Sequence, residues 1–366
     1  MSLVTDFLQK NNVNPQKARN LLKKMKKDKN GNIVLKPGMF VLSKTPIVNY
    51  AFTNSWILLL QPRSLNRQEI PGKMALIKSY ISDKCPKYYD DTEKEMAVAN
   101  NFILPEIAKQ FQLEAADYYN VIFENCKELE SEDNYSSSNY YKKKILPGKR
   151  YMLTPSFIDY DEELIHFADI VEPYELKATK MLSKIEEYLT RRNILETDIK
   201  AIKRNFIRQC IFNKYIDYTD EHNLNGGIIL SQNKNIRRAR LAPSYDLDFS
   251  AELYNLTNGG VQPTAFFRTT DQGEFDLLPM LEQFKGELKK EDLRDIISSI
   301  SLDNAISIGQ EYGNFKLTDN TRKKYNRFFK RQQKELEDFY KSTYGPMING
   351  IYEFNIKGNN EDQQIH

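Results

Sequence analysis

The chain has little of what would build a metal cage, a disulfide framework or a glycine-lined phosphate cradle. Its 366 residues include 3 cysteines and 3 histidines. Cys85, Cys126 and Cys210 lack the paired spacing of a zinc site, and their odd number points to a reducing compartment rather than a cross-linked scaffold. No G-x-G-x-x-G precedes the first basic strand. Charge of one sign is missing too: 53 basic against 50 acidic side chains leave +3, too even to make a nucleic-acid binder by charge. No apolar run approaches the roughly 20 residues of a membrane-spanning helix. The opening Met1-Ser2-Leu3-Val4-Thr5-Asp6 does not read as a signal peptide.

What is present is a two-part pattern. Up to Phe157 the chain reads as strands at Ile33–Leu35, Met39–Leu42, Trp56–Leu60, Met74–Tyr80 and Tyr119–Phe123. Thr92 to Ile103 reads as a helix that continues toward Gln110 with an interruption at Pro105. Glu128 to Lys144 is polar, serine-rich and aperiodic. Beyond it helices dominate, at Tyr174–Leu189, Thr197 to about Tyr215, Leu277–Phe284, Leu293–Ile300 and Thr321–Tyr340. The expected fold is α+β and bilobal, with a strand-rich lobe over 1–157 and a helical lobe over 158–366. With about 40% hydrophobic residues, the chain can bury a sizeable core.

The richest chemistry lies in the second part. Apolar residues at Ile199, Ile202, Phe206, Ile207, Cys210, Ile211 and Tyr215 fall three or four apart, the period of a helix burying one face, with Thr197 as the expected N-cap. A polar turn then carries Asp220-Glu221-His222 and Asn225. Gly226-Gly227 leads into Ile228-Ile229-Leu230, and Arg238 to Leu241 reads as the returning strand of a hairpin that delivers Asp246. A lone Asp in such a turn is usually a cap or turn residue. An Asp, an Asn five residues on, and a second Asp after a hairpin form the ordered set a phosphoryl-transfer site needs. One carboxylate orients a hydroxyl, while an amide and a carboxylate hold magnesium through hard oxygen donors.

Asp220-Glu221-His222 with Asn225, and Leu241-Ala242-Pro243 before Tyr245-Asp246-Leu247, resemble the signature of the HipA-like serine/threonine kinases, bacterial kinases known from toxin–antitoxin modules. The resemblance is specific over Phe206 to Phe249. It implies a fold distantly related to protein and phosphoinositide kinases, with ATP and Mg2+ as cofactors. It also implies Asp220 as catalytic base, Asn225 and Asp246 as metal ligands, and His222 as a brace for the loop. There is little room before Lys78 for the separate N-terminal domain of longer relatives, so such a domain, or an antitoxin, is expected as a partner chain. The expected acceptor is a protein hydroxyl, and the expected setting is the bacterial cytoplasm, with export as an effector left open.

A kinase needs a cation upstream for the phosphates. Met74-Ala75-Leu76-Ile77-Lys78 supplies it, close in form to Val-Ala-Ile-Lys. Glu95 on the following helix is the expected partner of Lys78, with Glu93 in reserve. Thr53 and Ser55 stand where a glycine-rich loop would be, so hydroxyls and backbone N–H groups replace glycine against the phosphates. Ser55 is also a candidate autophosphorylation site. Tyr151 to Phe157, including Thr154, resembles the hinge that meets adenine. The hydroxyls between Gly259 and Gly273 are candidate acceptors, although a surface loop there needs no such role. Arg322 to Lys334 reads as a solvated basic face over an aromatic stripe. Two alternatives stay open: a catalytically weak pseudokinase or toxin-type binding module, and a lipid or small-molecule kinase of related fold.

Overall fold

Short β-branched and aromatic runs build the first layer of the protein, and long amphipathic helices build the rest. The computed structural model describes residues 22, 25–37, 39–42, 54–59, 73–80, 90–125, 129–130, 144–158, 162–171, 178–218, 225–231, 237–247 and 277–347. Strands β1 (Ile33–Leu35), β2 (Phe40–Leu42), β3 (Asn54–Leu59), β4 (Lys73–Lys78) and β5 (Tyr119–Phe123) precede the pair β6 (Leu129–Glu130) and β7 (Lys144–Ile145), followed by β8 (Arg150–Pro155). Six of them form one sheet in the order β1-β5-β8-β4-β3-β2. The β1–β5 pair is parallel and the others are antiparallel. β6 and β7 form a separate two-stranded pair at the two ends of the serine-rich stretch.

Alternation along the strands separates the two faces of this sheet. Ala75, Ile77, Val121, Phe123, Tyr151 and Leu153 pack on one face with Leu22 and Met25. Met152, which pairs with Lys78, faces the other way and joins Tyr80, Phe102, Ala116 and Tyr118 in a second cluster. Lys78 and Thr154 fall on the same alternation as Met152, so the sheet presents both toward the helical part.

Helix α1 (Asp91–Gln110) opens with a capping box: Asp90 accepts from the Glu93 N–H at 2.7 Å, and the Glu93 carboxylate accepts from the Asp90 N–H at 2.9 Å. The helix runs through Pro105 rather than stopping there. Its flanks are held by burial: Met96, Ala97, Ile103, Leu104 and Ile107 all lie in the large core shared with the later helices. Tertiary packing outweighs the loss of one backbone bond.

The later elements are β9 (Glu162–His166), α2 (Ala178–Arg191), α3 (Glu196–Tyr215), β10 (Gly227–Ser231), β11 (Ala239–Leu241), α4 (Leu277–Gln283), α5 (Lys290–Ser299), α6 (Leu302–Gly313) and α7 (Asp319–Tyr344). Helix α3 starts after Leu195, which gives no side-chain cap, so Thr197 is not the N-cap that its residue type suggested. Asp198 supplies the acid of that first turn instead; its carboxylate accepts from Arg238 and from the backbone N–H of Ala239, tying the helix start to β11. Cys210 is buried in the core, as its helix face implied. The expected hairpin is β10–β11, and β9 adds a third strand on its far side. Gly227 pairs with His166 so tightly that an added Cβ would strike the Ile165 carbonyl oxygen. No helix among the described residues is long and apolar enough to cross a membrane.

Candidate active site

Lys78 is the last residue of β4 and is 6% exposed. A buried ammonium needs a counter-charge. It has one in Asp246, whose Oδ1 is in direct contact with Lys78 Nζ. The Asp246 side chain is about one-third exposed, so the pair sits at the edge of the buried region rather than sealed inside it.

The route that brings Asp246 there begins at β11. Ala242 N–H bonds the Gly227 carbonyl at 2.9 Å and carries the chain off the hairpin. Ser244 then exchanges backbone bonds with the segment after α1: its N–H meets the Glu114 carbonyl at 2.8 Å, and its carbonyl accepts from Ala116 N–H at 2.9 Å. Two residues later Asp246 adopts φ +60°, a left-handed conformation that Asp tolerates better than most side chains. Two tyrosines hold it in place. The Tyr118 hydroxyl accepts from Asp246 N–H at 2.9 Å, and the Tyr218 hydroxyl donates to the Asp246 carbonyl at 3.0 Å.

Tyr218 is set by the end of α3. Asp217 takes φ +49°, its N–H returns to Lys214 at 3.1 Å, and Tyr218 N–H returns to Asn213 at 2.8 Å. That is a Schellman C-cap, with an aspartate in the place glycine usually fills. The same Tyr218 hydroxyl accepts from Asn225 Nδ2 at 2.9 Å. Tyr218 therefore links the amide of Asn225 to the backbone of Asp246. Beside them Tyr245 stacks on Phe157, with ring centroids 5.3 Å apart. Burial, aided by the nearby Asp246 charge, pushes the Tyr245 phenol well above its ordinary range and keeps it neutral.

The Asn225–Asp246 donor set fits magnesium. With Nδ2 given to Tyr218, the amide oxygen is the atom of Asn225 suited to a cation, and Asp246 offers a carboxylate. No group of three or more His, Cys, Asp or Glu among the described residues could hold a metal by itself. A cation that keeps waters and takes phosphate oxygens needs no such cage.

Other expected residues fall as follows. Glu95 is not placed against Lys78. Its carboxylate accepts from Thr318 N–H, from Thr318 Oγ1 at 2.8 Å and from Thr321 Oγ1, at the start of α7. The physical reason is the open N–H groups and positive dipole end of that long helix, which attract a carboxylate. Glu93, the reserve, belongs to the capping box of α1. Thr154 is half-buried in β8, and its hydroxyl oxygen is buried with no partner among the described residues. The backbone of Ser55 pairs with Ile77, one register position from Lys78. Asp220, Glu221, His222 and Thr53 lie outside the described residues, as does the stretch 259–273. Neither Tyr118 nor Tyr218 carries a sequence signal of this role; Tyr218 lies two residues before Asp220 in the polar segment that follows α3.

No protein-family model matches this chain, and neither does any curated protein. Among solved structures it is similar to the Helicobacter pylori proinflammatory kinase CtkA, at 11% identity and TM-score 0.46, covering 84% of this chain and 97% of that one. It is also similar to a chain of the Shewanella oneidensis MR-1 toxin–antitoxin complex of HipA, HipB and operator DNA, at 12% identity and TM-score 0.43, covering 92% of this chain and 74% of that one.

Proposed function

We propose that the protein is an ATP- and Mg2+-dependent protein kinase that phosphorylates serine or threonine hydroxyls, its own among them. The observation that carries this reading is the meeting of Lys78 with Asp246, while Tyr218 joins Asn225 to the Asp246 backbone. A buried cation, a carboxylate and an amide from three separate segments are the parts phosphoryl transfer calls for.

In this reading Lys78 leaves Asp246 to neutralise phosphate oxygens, and Asn225 and Asp246 hold magnesium. The metal, when bound, offsets charge on the triphosphate. Thr154, on the Lys78 face of the sheet with a hydroxyl that has no partner among the described residues, meets the nucleotide. Asp220 accepts the proton of the acceptor hydroxyl as its oxygen bonds the γ-phosphorus. The bond from that phosphorus to the bridging oxygen breaks, and ADP leaves. The protein's contribution is positioning and electrostatic complementarity, because it forms no covalent bond to the transferred group.

The test is incubation of the purified chain with γ-labelled ATP and Mg2+, read by label transfer and phosphopeptide mass spectrometry. Phosphoserine or phosphothreonine is expected on the chain or on an added protein acceptor. The Asp246→Asn variant is expected to stay folded and to lose transfer. Undiminished transfer in that variant removes Asp246 from the site.

A further inference from the structure

A concave site lies against the segment that anchors Asp246. It encloses about 460 Å3 between the C-terminal half of α1 and residues 113–119. That volume lies within the usual span of small-molecule sites, roughly 300–1,000 Å3.

Its wall carries hydrogen-bond acceptors in excess. Asn101 is 1% exposed. Its Nδ2 donates to the Ala97 carbonyl at 2.8 Å, and its Oδ1 has no partner among the described residues. Pro105, also in the wall, has no N–H to give the Asn101 carbonyl four residues before it. One residue of the wall thus presents an orphan amide oxygen and a carbonyl that lacks its helical partner. A buried acceptor left without a donor is costly, so an occupant that brings a donor is favoured.

The charges point the same way. Glu106 and Asp117, whose side chains are 13% and 20% exposed, share the single ammonium of Lys109. Burial opposes the charge on that ammonium. Its bond to Glu106 and the field of Asp117 more than offset this, and its pKa is raised. Glu114 adds a third carboxylate to the lining and is met by Arg240 from outside at 3.1 Å. Among the lining residues three carboxylates face one cation. Phe102, Leu113, Tyr119 and Tyr312 complete the lining, and of these Tyr312 is the exposed one.

We propose that this cleft binds a small organic cation, a primary ammonium or amidinium carried on a flat apolar body. The donors would meet Asn101 and the carboxylates, and the body would lie against the exposed ring of Tyr312. Tyr118 lines the cleft while its hydroxyl holds Asp246 N–H, so an occupant touches the side chain that fixes the Asp246 backbone. This last consequence, a change in phosphoryl transfer on binding, rests on the proposed kinase reading; the binding itself does not.

Benzamidine is the probe, with benzoate as the matched anion, titrated calorimetrically into the full chain. Saturable binding of benzamidine and none of benzoate is expected. Glu106→Gln and Asp117→Asn should each weaken it about tenfold, since each removes a charge-assisted contact. Tyr312→Ala, at a partly exposed position, tests the apolar wall without deleting a buried group and should also weaken it. Absence of saturable binding, as when a water molecule is all that satisfies Asn101, overturns the proposal. So does equal binding of benzoate, or benzamidine binding unchanged in all three variants. Turnover of ATP is then followed with and without benzamidine. A chain with no turnover in either case defeats the kinase reading and leaves the titration to judge the cleft.

Discussion

Lys78 and Asp246, 168 positions apart in the chain, are in direct contact through Nζ and Oδ1. One closes β4 and the other follows β11, so the contact ties the sheet to the segment that leaves the hairpin. Without nucleotide the carboxylate of Asp246 gives the buried ammonium of Lys78 a counter-charge.

Stability and activity should therefore separate at Lys78. Methionine is close in length and apolar, and Lys78 is 6% exposed. Lys78→Met should leave the urea midpoint little changed, because it takes the buried ammonium away and leaves behind a carboxylate, Asp246, that is about one-third exposed and can turn to water. Label transfer should fall by at least about a hundredfold, the scale of losing one electrostatic contact in the transition state. A variant that unfolds, or one that retains full transfer, contradicts this division.

Tyr218 offers a finer test of how the metal ligands are held. Its hydroxyl is the shared partner of Asn225 and of the Asp246 carbonyl. Tyr218→Phe removes both bonds and keeps the ring, so a stability loss of about 1–3 kcal/mol is expected. The Mg2+ concentration for half-maximal transfer should rise several-fold, with a smaller change in the KM for ATP. An unaltered Mg2+ requirement means that the hydroxyl does not position these ligands.

Glu95 should behave as a helix cap. Its carboxylate gathers Thr318 and Thr321 at the start of α7, and that helix packs Tyr325, Phe328, Phe329 and Leu336 into the main core. Glu95→Ala is expected to lower stability by about 0.5–2 kcal/mol, the range for losing an N-terminal cap. The KM for ATP should stay within about twofold. A large rise in KM at unchanged stability would return Glu95 to the role of Lys78 partner.

The case of Glu95 shows where sequence reading reaches its end. Helix α1, the β10–β11 hairpin and the strand ending at Lys78 were legible because period, turn residues and length all agreed locally. That Lys78 shares a site with Asp246 was implied by the family resemblance, not by the spacing within either segment. What a glutamate pairs with is decided by elements that meet only after folding. Residues 95 and 318 are 223 positions apart, and nothing in either segment announces the other. Tyr118 and the strand β9 were missed for the same reason. Tyr118 carries no local signal of its partner, and β9 is defined by its pairing with β10, Leu164 opposite Ile229, rather than by any turn beside it. The unbroken course of α1 through Pro105 is a further instance, since burial of both flanks overrides a local breaker.

The ion cluster beneath α3 bears on the same site through stability. Asp292, at the start of α5, is 5% exposed and meets Arg208, also 5% exposed, at 3.0 Å, with Arg204 on its other side. Burial works to raise the Asp292 pKa, but the Arg204 bond and the charges of both arginines outweigh it, and the carboxyl lies below its ordinary 3.8. A folded-state value below the unfolded one stabilises the protein above the unfolded value, and this contribution is lost as the pH falls through the folded value. Asp292→Asn removes it at neutral pH and leaves the Arg208 guanidinium buried without its counter-charge, at a cost of about 3–5 kcal/mol. The gap between wild type and variant in urea unfolding should be full at pH 7 and shrink below pH about 4. The paired change Arg208→Met with Asp292→Leu should recover most of the loss, because no buried ion is left unpaired and Arg204 is exposed to water. A gap that is constant from pH 7 to pH 3 would mean that the carboxylate charge is not what holds α5 to the helix that ends at Tyr218.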